Sequence, residues 1–186
     1  MITTAEYTGL RNQAVDFLNQ AGLKLRPDEI ENIEVADFGL GRVREIGLQL
    51  VVYVNTDRCC AKELVLIPRQ LCPEHRHPPV DRYPGKEETF RCRYGRVYLY
   101  VDGASTRPTQ AVVPAGYERN LTVWHEIDLG PGDQWTIPPN TLHWFQAADE
   151  GAVVSEFSTK SMDEYDVFTD PAIQRTTRIG NSARTS

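Results

Sequence analysis

The chain of 186 residues has four histidines, and three of them stand where they could build a metal centre. His75 and His77 flank Arg76. Residues two apart in a strand project from one face, so these two imidazoles would converge on one point. Glu88 follows after ten intervening residues and heads the run Glu88-Thr89-Phe90-Arg91-Cys92-Arg93-Tyr94. In that run Glu88, Phe90, Cys92 and Tyr94 share one face. A carboxylate at the head of an apolar face needs a compensating charge, because burying it alone is costly. His143 opens another alternating run, in phase with Phe145 and Ala147, just after the turn Pro138-Pro139-Asn140. Three imidazoles and a carboxylate suit Mn²⁺, Fe²⁺, Co²⁺, Ni²⁺ or Zn²⁺ and not Ca²⁺. Around a metal that accepts six ligands, the four would leave two neighbouring positions for a bidentate substrate. His125, between Trp124 and Glu126, fits no such pattern and is assigned to a structural or rim position.

Short strands must deliver these residues. Runs at 48–54, 63–67, 89–94, 97–101, 121–129, 134–137, 143–147 and 152–158 are short, apolar or alternating. Turn formers separate them, among them Tyr94-Gly95-Arg96, Gly130-Pro131-Gly132-Asp133 and Asp149-Glu150-Gly151. Short strands at this rhythm, with no helical pattern between them, predict an antiparallel sandwich or barrel. Ahead of them, Ala5, Leu10, Ala14, Phe17 and Leu18 follow a helical period over residues 4–23, with Thr3 and Thr4 as N-cap candidates, Glu6 close behind and Ala21-Gly22 as the stop. Pro27-Asp28-Glu29 opens a second short helix. The expected organisation is one domain: a helical segment over 1–32 packed on a barrel over 33–160, and a C-terminal extension over 161–186. That extension shows no strand pattern and is expected to wrap the barrel and fray after Gly180.

Composition excludes several classes. Apolar residues make up 40% and charged residues 25%, which is globular and rules out disorder, collagen and coiled coil. Twenty basic residues against 26 acidic ones leave a net charge of −6, so neither nucleic acid nor an anionic membrane is an expected partner. No apolar run approaches the roughly 18 residues of a membrane helix, and the start of the chain carries no secretory signal pattern, so a cytoplasmic protein is expected. Cys59, Cys60, Cys72 and Cys92 contain no C-x-x-C pair and read as reduced thiols.

The segment from Gly132 through Pro138 to His143 resembles the second cupin motif, with Asn140 where many cupins have glycine. The segment from His75 through Glu88 to Gly95 resembles the first, with six residues between Glu88 and Gly95 but an unusually long gap after His77. That gap, together with Gly-Lys-Glu-Glu-Thr-Phe, Arg-Cys-Arg-Tyr-Gly and Val-Val-Ser-Glu-Phe-Ser-Thr, is similar to the cupin-type D-lyxose isomerases over roughly residues 60–175. The resemblance implies a mainly β fold, a single cupin jelly-roll barrel. It implies His75, His77, Glu88 and His143 as ligands of one divalent ion per chain, most commonly Mn²⁺. It also implies an aldose–ketose isomerase acting on D-lyxose/D-xylulose and on D-mannose/D-fructose, assembled as a homodimer.

Isomerisation through a metal-stabilised cis-enediol needs a base that moves a proton from C2 to C1 and an acid that serves O1 and O2. Glu156, inside the apolar run Val153-Val154-Ser155-Glu156-Phe157, is the first candidate for the base, although Val153, Ser155 and Phe157 could instead be the inward set. Lys86, two residues before Glu88, is the second catalytic candidate, and both would also touch the substrate. Asp166, in the acidic run Asp163-Glu164-Tyr165-Asp166, and Arg175 are expected to bind sugar hydroxyls from a lid, while Glu87 is expected at the surface. The same four ligands would also serve a cupin dioxygenase or decarboxylase, or a non-catalytic sugar-binding cupin.

Overall fold

Two strands far longer than any run expected from the sequence organise the structure, a computed structural model that describes residues 1–180. In chain order the elements are β1 (Ile2–Thr3), α1 (Thr4–Gln20), α2 (Pro27–Glu31), β2 (Glu34–Ala36), β3 (Leu48–Asn55), β4 (Cys60–Leu66), β5 (Leu71–Arg76), β6 (Glu88–Val101), β7 (His125–Leu129), β8 (Gln134–Ile137), β9 (His143–Ser158), β10 (Val167–Phe168) and β11 (Ile179–Gly180). β6 and β9 pair antiparallel from Glu88 opposite Ser158 to Val101 opposite His143. The first part of β6 also pairs with β8 and its last part with β7. The first part of β9 likewise pairs with β5 and its last part with β4. Each long strand therefore serves both layers of one curled sheet, whose path runs β10-β5-β9-β4-β3-β2.

The signals at Gly95 and Gly151, expected to end strands, instead bend them. Both glycines have positive φ, +67° and +78°, and a Cβ on Gly95 would lie 2.0 Å from the Gly151 carbonyl oxygen. Register shifts on β6 flank Gly95, and such bulges let a strand turn from one layer into the next without losing its partner. The shift between Cys92 and Tyr94 also reverses the alternation. Phe90 and Cys92 stay in the barrel interior, but Tyr94 turns outward and meets Phe17 of α1 edge-on, with ring centroids 5.9 Å apart.

Two further expectations need correction. The strand expected over 121–129 starts only at His125, because the amides of Thr122 and Val123 bond to the Glu74 carboxylate instead of a neighbouring strand. Residues 161–180 do carry strands: β10 pairs with β5, and β11 runs parallel to β1. Strands of two residues have no period to read. The fraying expected after Gly180 falls outside the described residues.

α1 begins as expected. Thr3 accepts from the Glu6 amide while the Glu6 carboxylate accepts from Thr3, a reciprocal cap. Leu10, Ala14, Phe17 and Leu18 are buried against Val51, Val65 and Val153, the outward residues of β3, β4 and β9. The inward residues of the same strands, Leu50, Leu64 and Val154, join the barrel interior with Phe90 and Phe145. Burial on both faces explains the unbroken apolar run Leu64-Val65-Leu66-Ile67.

Gly95→Ala forces a side chain into a left-handed backbone against a carbonyl. A loss of about 2 kcal/mol or more is expected, read as a lower denaturant midpoint; an unchanged midpoint contradicts the close crossing of β6 and β9.

Candidate metal centre

The ends of two strands, β5 and β9, gather the histidines. His75 lies on β5 directly opposite His143, the first residue of β9, and His77 follows just beyond the end of β5. Ring centroids are 4.3 Å apart for His75 and His143, 4.9 Å for His75 and His77, and 5.4 Å for His77 and His143. One donor atom from each ring lies within 4.8 Å of the others, and all three residues are buried. Glu88, the first residue of β6, turns Oε1 toward this group, 3.1 Å from Nε2 of His77 and 3.1 Å from Nε2 of His143.

Hydrogen bonding prepares the rings for ligation. Nδ1 of His75 lies 2.8 Å from the Pro73 carbonyl, Nδ1 of His143 lies 2.9 Å from the Thr141 carbonyl, and Nδ1 of His77 lies 2.5 Å from Asp166 Oδ1. At His75 and His143 a carbonyl at Nδ1 places the proton there and leaves Nε2 as the lone-pair donor, and Asp166 sets the same tautomer for His77 once that ring gives up its second proton. His143 Nε2 is buried and makes no hydrogen bond, despite its closeness to Glu88. A divalent cation fits this set: three aimed nitrogens and one carboxylate oxygen.

Electrostatics point the same way. Burial, reinforced by His143 and His77, pushes His75 well below the usual imidazole range, so it stays neutral as a ligand must. Burial opposes charge on Glu88, but Lys86 and His77 outweigh it and hold the carboxyl well below its usual range. Burial likewise opposes the His77 imidazolium, yet Glu88 and the Asp166 hydrogen bond raise it to about 9. A cation ligated there takes the place of that proton, so loading is proton-linked.

Beside this group sits a buried ion-pair bridge. Lys86 Nζ lies 2.8 Å from Glu88 Oε2 and 3.0 Å from Glu156 Oε1. Burial would lower the Lys86 pKa, but Glu156 and Glu88 together raise it well above the usual lysine range, so it remains an ammonium. Glu156 is 3% exposed and lines the cavity, whereas Phe157 is 50% exposed. The inward phase of β9 is thus that of Val154 and Glu156. Gly85 lets the backbone turn into Lys86: its φ is +98°, and a Cβ there would lie 2.4 Å from the His77 carbonyl oxygen. Asn140, standing where cupins often have glycine, adopts φ +59°. Glu87 is exposed, as expected, and His125 sits away from the group with its Nδ1 near the Ala104 carbonyl.

Asp166 and Arg175 both line the cavity, but each is already engaged. Asp166 meets His77, and Arg175 donates to Glu34 and Asp163. Lys62 and Asp163 also line the cavity, and neither was assigned to the site from the sequence. Lys62 Nζ, buried, lies 2.8 Å from Ser161 Oγ and 2.9 Å from Asp163 Oδ2. The available signal was a lysine in phase with the inward Leu64 and Leu66. The cavity also has an apolar lining, with Phe38, Leu50, Phe145 and Phe168.

A curled antiparallel sheet with three imidazoles and a carboxylate gathered inside one end is a cupin barrel with a candidate metal centre. Its backbone is similar to that of the L-ribose isomerase of Cellulomonas parahominis with L-ribose (TM-score 0.80, 17% identity, 96% of this chain and 98% of that one). The L-ribose isomerase of Acinetobacter sp. DL28 with L-ribose is equally similar (TM-score 0.80, 16% identity, the same coverage). At such identities the likeness concerns fold alone. The sequence goes further: the D-lyxose isomerase family model matches residues 28–185. A D-lyxose/D-mannose isomerase of Thermosediminibacter oceani is 59% identical over 96% of this chain and 99% of its own. A D-lyxose ketol-isomerase of Cohnella laeviribosi is 58% identical over 91% and 93%. The chain belongs to the D-lyxose isomerase family.

Lys86→Met leaves Glu88 and Glu156 buried without their shared cation. In the metal-free protein a loss of about 3–5 kcal/mol is expected, seen as a lower melting or denaturant midpoint and partly recovered by a divalent cation. An unaltered midpoint contradicts the bridge.

Proposed function

We propose that this chain is a divalent-metal-dependent ketol-isomerase that interconverts D-lyxose with D-xylulose and D-mannose with D-fructose. The observation that carries the reading is the juxtaposition of the three aimed Nε2 atoms and Glu88 with the Lys86–Glu156 pair in one cavity. Membership of the D-lyxose isomerase family and the names of the close relatives support the choice of sugars. His75, His77, Glu88 and His143 hold the ion. Mn²⁺ suits the mixed imidazole–carboxylate donors and is the family's usual metal. The family likeness also favours a homodimer, and a cytoplasmic setting agrees with reduced thiols; the four cysteines are free. No helix among the described residues is long and apolar enough to cross a membrane.

A bound ion supplies polarisation of the sugar carbonyl and acidifies the proton on C2. Glu156 takes that proton and returns it to C1, on one face of the planar cis-enediol. The proton on O2 passes to O1, which completes the exchange with no other reactant. Lys86 holds the Glu156 carboxylate in place and, as a fixed ammonium, favours negative charge on the reacting oxygens. Lys62, Asp163 and Arg175 form the polar side that receives the more distant hydroxyls. Phe38, Leu50 and Phe168 supply the apolar lining that excludes water from the reacting carbons.

Three measurements test this. Glu88→Ala should lose both metal and turnover. Glu156→Gln should keep the metal but lose about 10²–10⁴-fold in kcat. Wild-type turnover in D₂O should place deuterium at C1 of the ketose. A Mn²⁺-loaded protein inert towards D-lyxose and D-mannose, or an unimpaired Glu156→Gln, overturns the reading.

A further inference from the structure

Among the three histidines, His77 is held differently. His75 and His143 each direct Nδ1 to a carbonyl two residues earlier in their own strand region. His77 relies on a side chain 89 residues away, the Asp166 carboxylate at 2.5 Å. Asp166 belongs to a strap over residues 163–169 that opens with a short 3-10 turn, Asp163–Tyr165. The Asp166 side chain is 7% exposed.

The strap is registered on the metal-ligand strand at successive points. β10 sets Val167 opposite Arg76 and Phe168 opposite His75. The Phe168 ring lies over the His75 imidazole, with centroids 5.4 Å apart and planes 28° apart. Next, Thr169 donates its amide to the Glu74 carbonyl at 3.0 Å and its hydroxyl to the Glu74 carboxylate at 2.5 Å. Residues 166, 168 and 169 thus engage 77, 75 and 74 in turn. Asp163 ties the start of the strap to Lys62, at 2.9 Å.

We propose that Asp166 is a positioning residue, which holds His77 with Nε2 toward the ion and so couples docking of the strap over 163–169 to metal loading. The inference deepens the metal-site reading above and rests on it. A carboxylate at Nδ1 fixes the ring's tautomer and orientation and raises the basicity of the ligating nitrogen more than a neutral carbonyl does. Coupling is reciprocal: if the docked strap tightens metal binding by some factor, bound metal stabilises the docked strap by the same factor.

The test titrates Mn²⁺ into the metal-free full chain, without sugar. It compares wild type, Asp166→Asn and Asp166→Ala, and follows hydrogen exchange of amides 163–169 with and without Mn²⁺. Asp166→Ala should weaken Mn²⁺ binding about 10–100-fold. Asp166→Asn, which keeps an acceptor but not the charge, should fall between it and wild type. Mn²⁺ should slow exchange in the wild-type strap, and that protection should shrink in Asp166→Ala as its affinity does. Wild-type affinity in both variants with only KM for the sugar raised would make Asp166 a sugar contact and overturn the proposal. Strap exchange indifferent to Mn²⁺ would overturn it as well. Wild type that binds no Mn²⁺ at all would instead overturn the metal-site reading, and this inference with it.

Discussion

A carboxylate buried at 2% exposure is the constraint on which this site depends. Glu88 heads β6 inside the barrel, where an isolated anion would be prohibitively costly. The fold answers with Lys86 on one oxygen and two imidazole nitrogens beside the other. Lys86 in turn needs its second anion, Glu156, and Lys62 needs Asp163. One inward charge is therefore accompanied by an alternating array of charges along the cavity. The barrel holds these ions by pairing them with one another.

The two long strands explain why the array forms at one end. His143 is the first residue of β9 and Glu88 the first of β6, but the strands are antiparallel, so along their mutual ladder the two residues lie at opposite ends. They meet because both strands bend at Gly95 and Gly151, rolling the sheet until its ends face each other. Pairing of β5 with the first part of β9 then brings His75 opposite His143. Local bends far from the metal-ligand group are thus part of its geometry.

Much of this was legible in the sequence, and the exceptions share a cause. His75, His77, Glu88 and His143 stand at strand starts or ends in one phase, a pattern that alternation reveals directly. Glu156 was ambiguous because β9 is buried on both faces there, Ser155 under Glu63 on one side and Glu156 in the cavity on the other. Alternation of polarity carries no information where neither face is wet. The continuity of β6 and β9 was misread as pairs of shorter strands, since glycine at a bend and glycine at a turn have the same composition. The partner of Asp166 was beyond reach, because a contact across 89 residues leaves no trace in local periodicity.

The segment linking His77 to Glu88 has one more implication. Its two ends are set independently: His77 by β5 and by the Asn140 amide on its carbonyl, Glu88 by its ladder with β8 and β9. Ligand geometry consequently belongs to pairing register and not to the number of residues strung between ligands. The connection is left free to serve another end, and here it carries Lys86 between Glu88 and Glu156. A fixed interval between the histidine pair and the glutamate is therefore no part of what shapes this cluster.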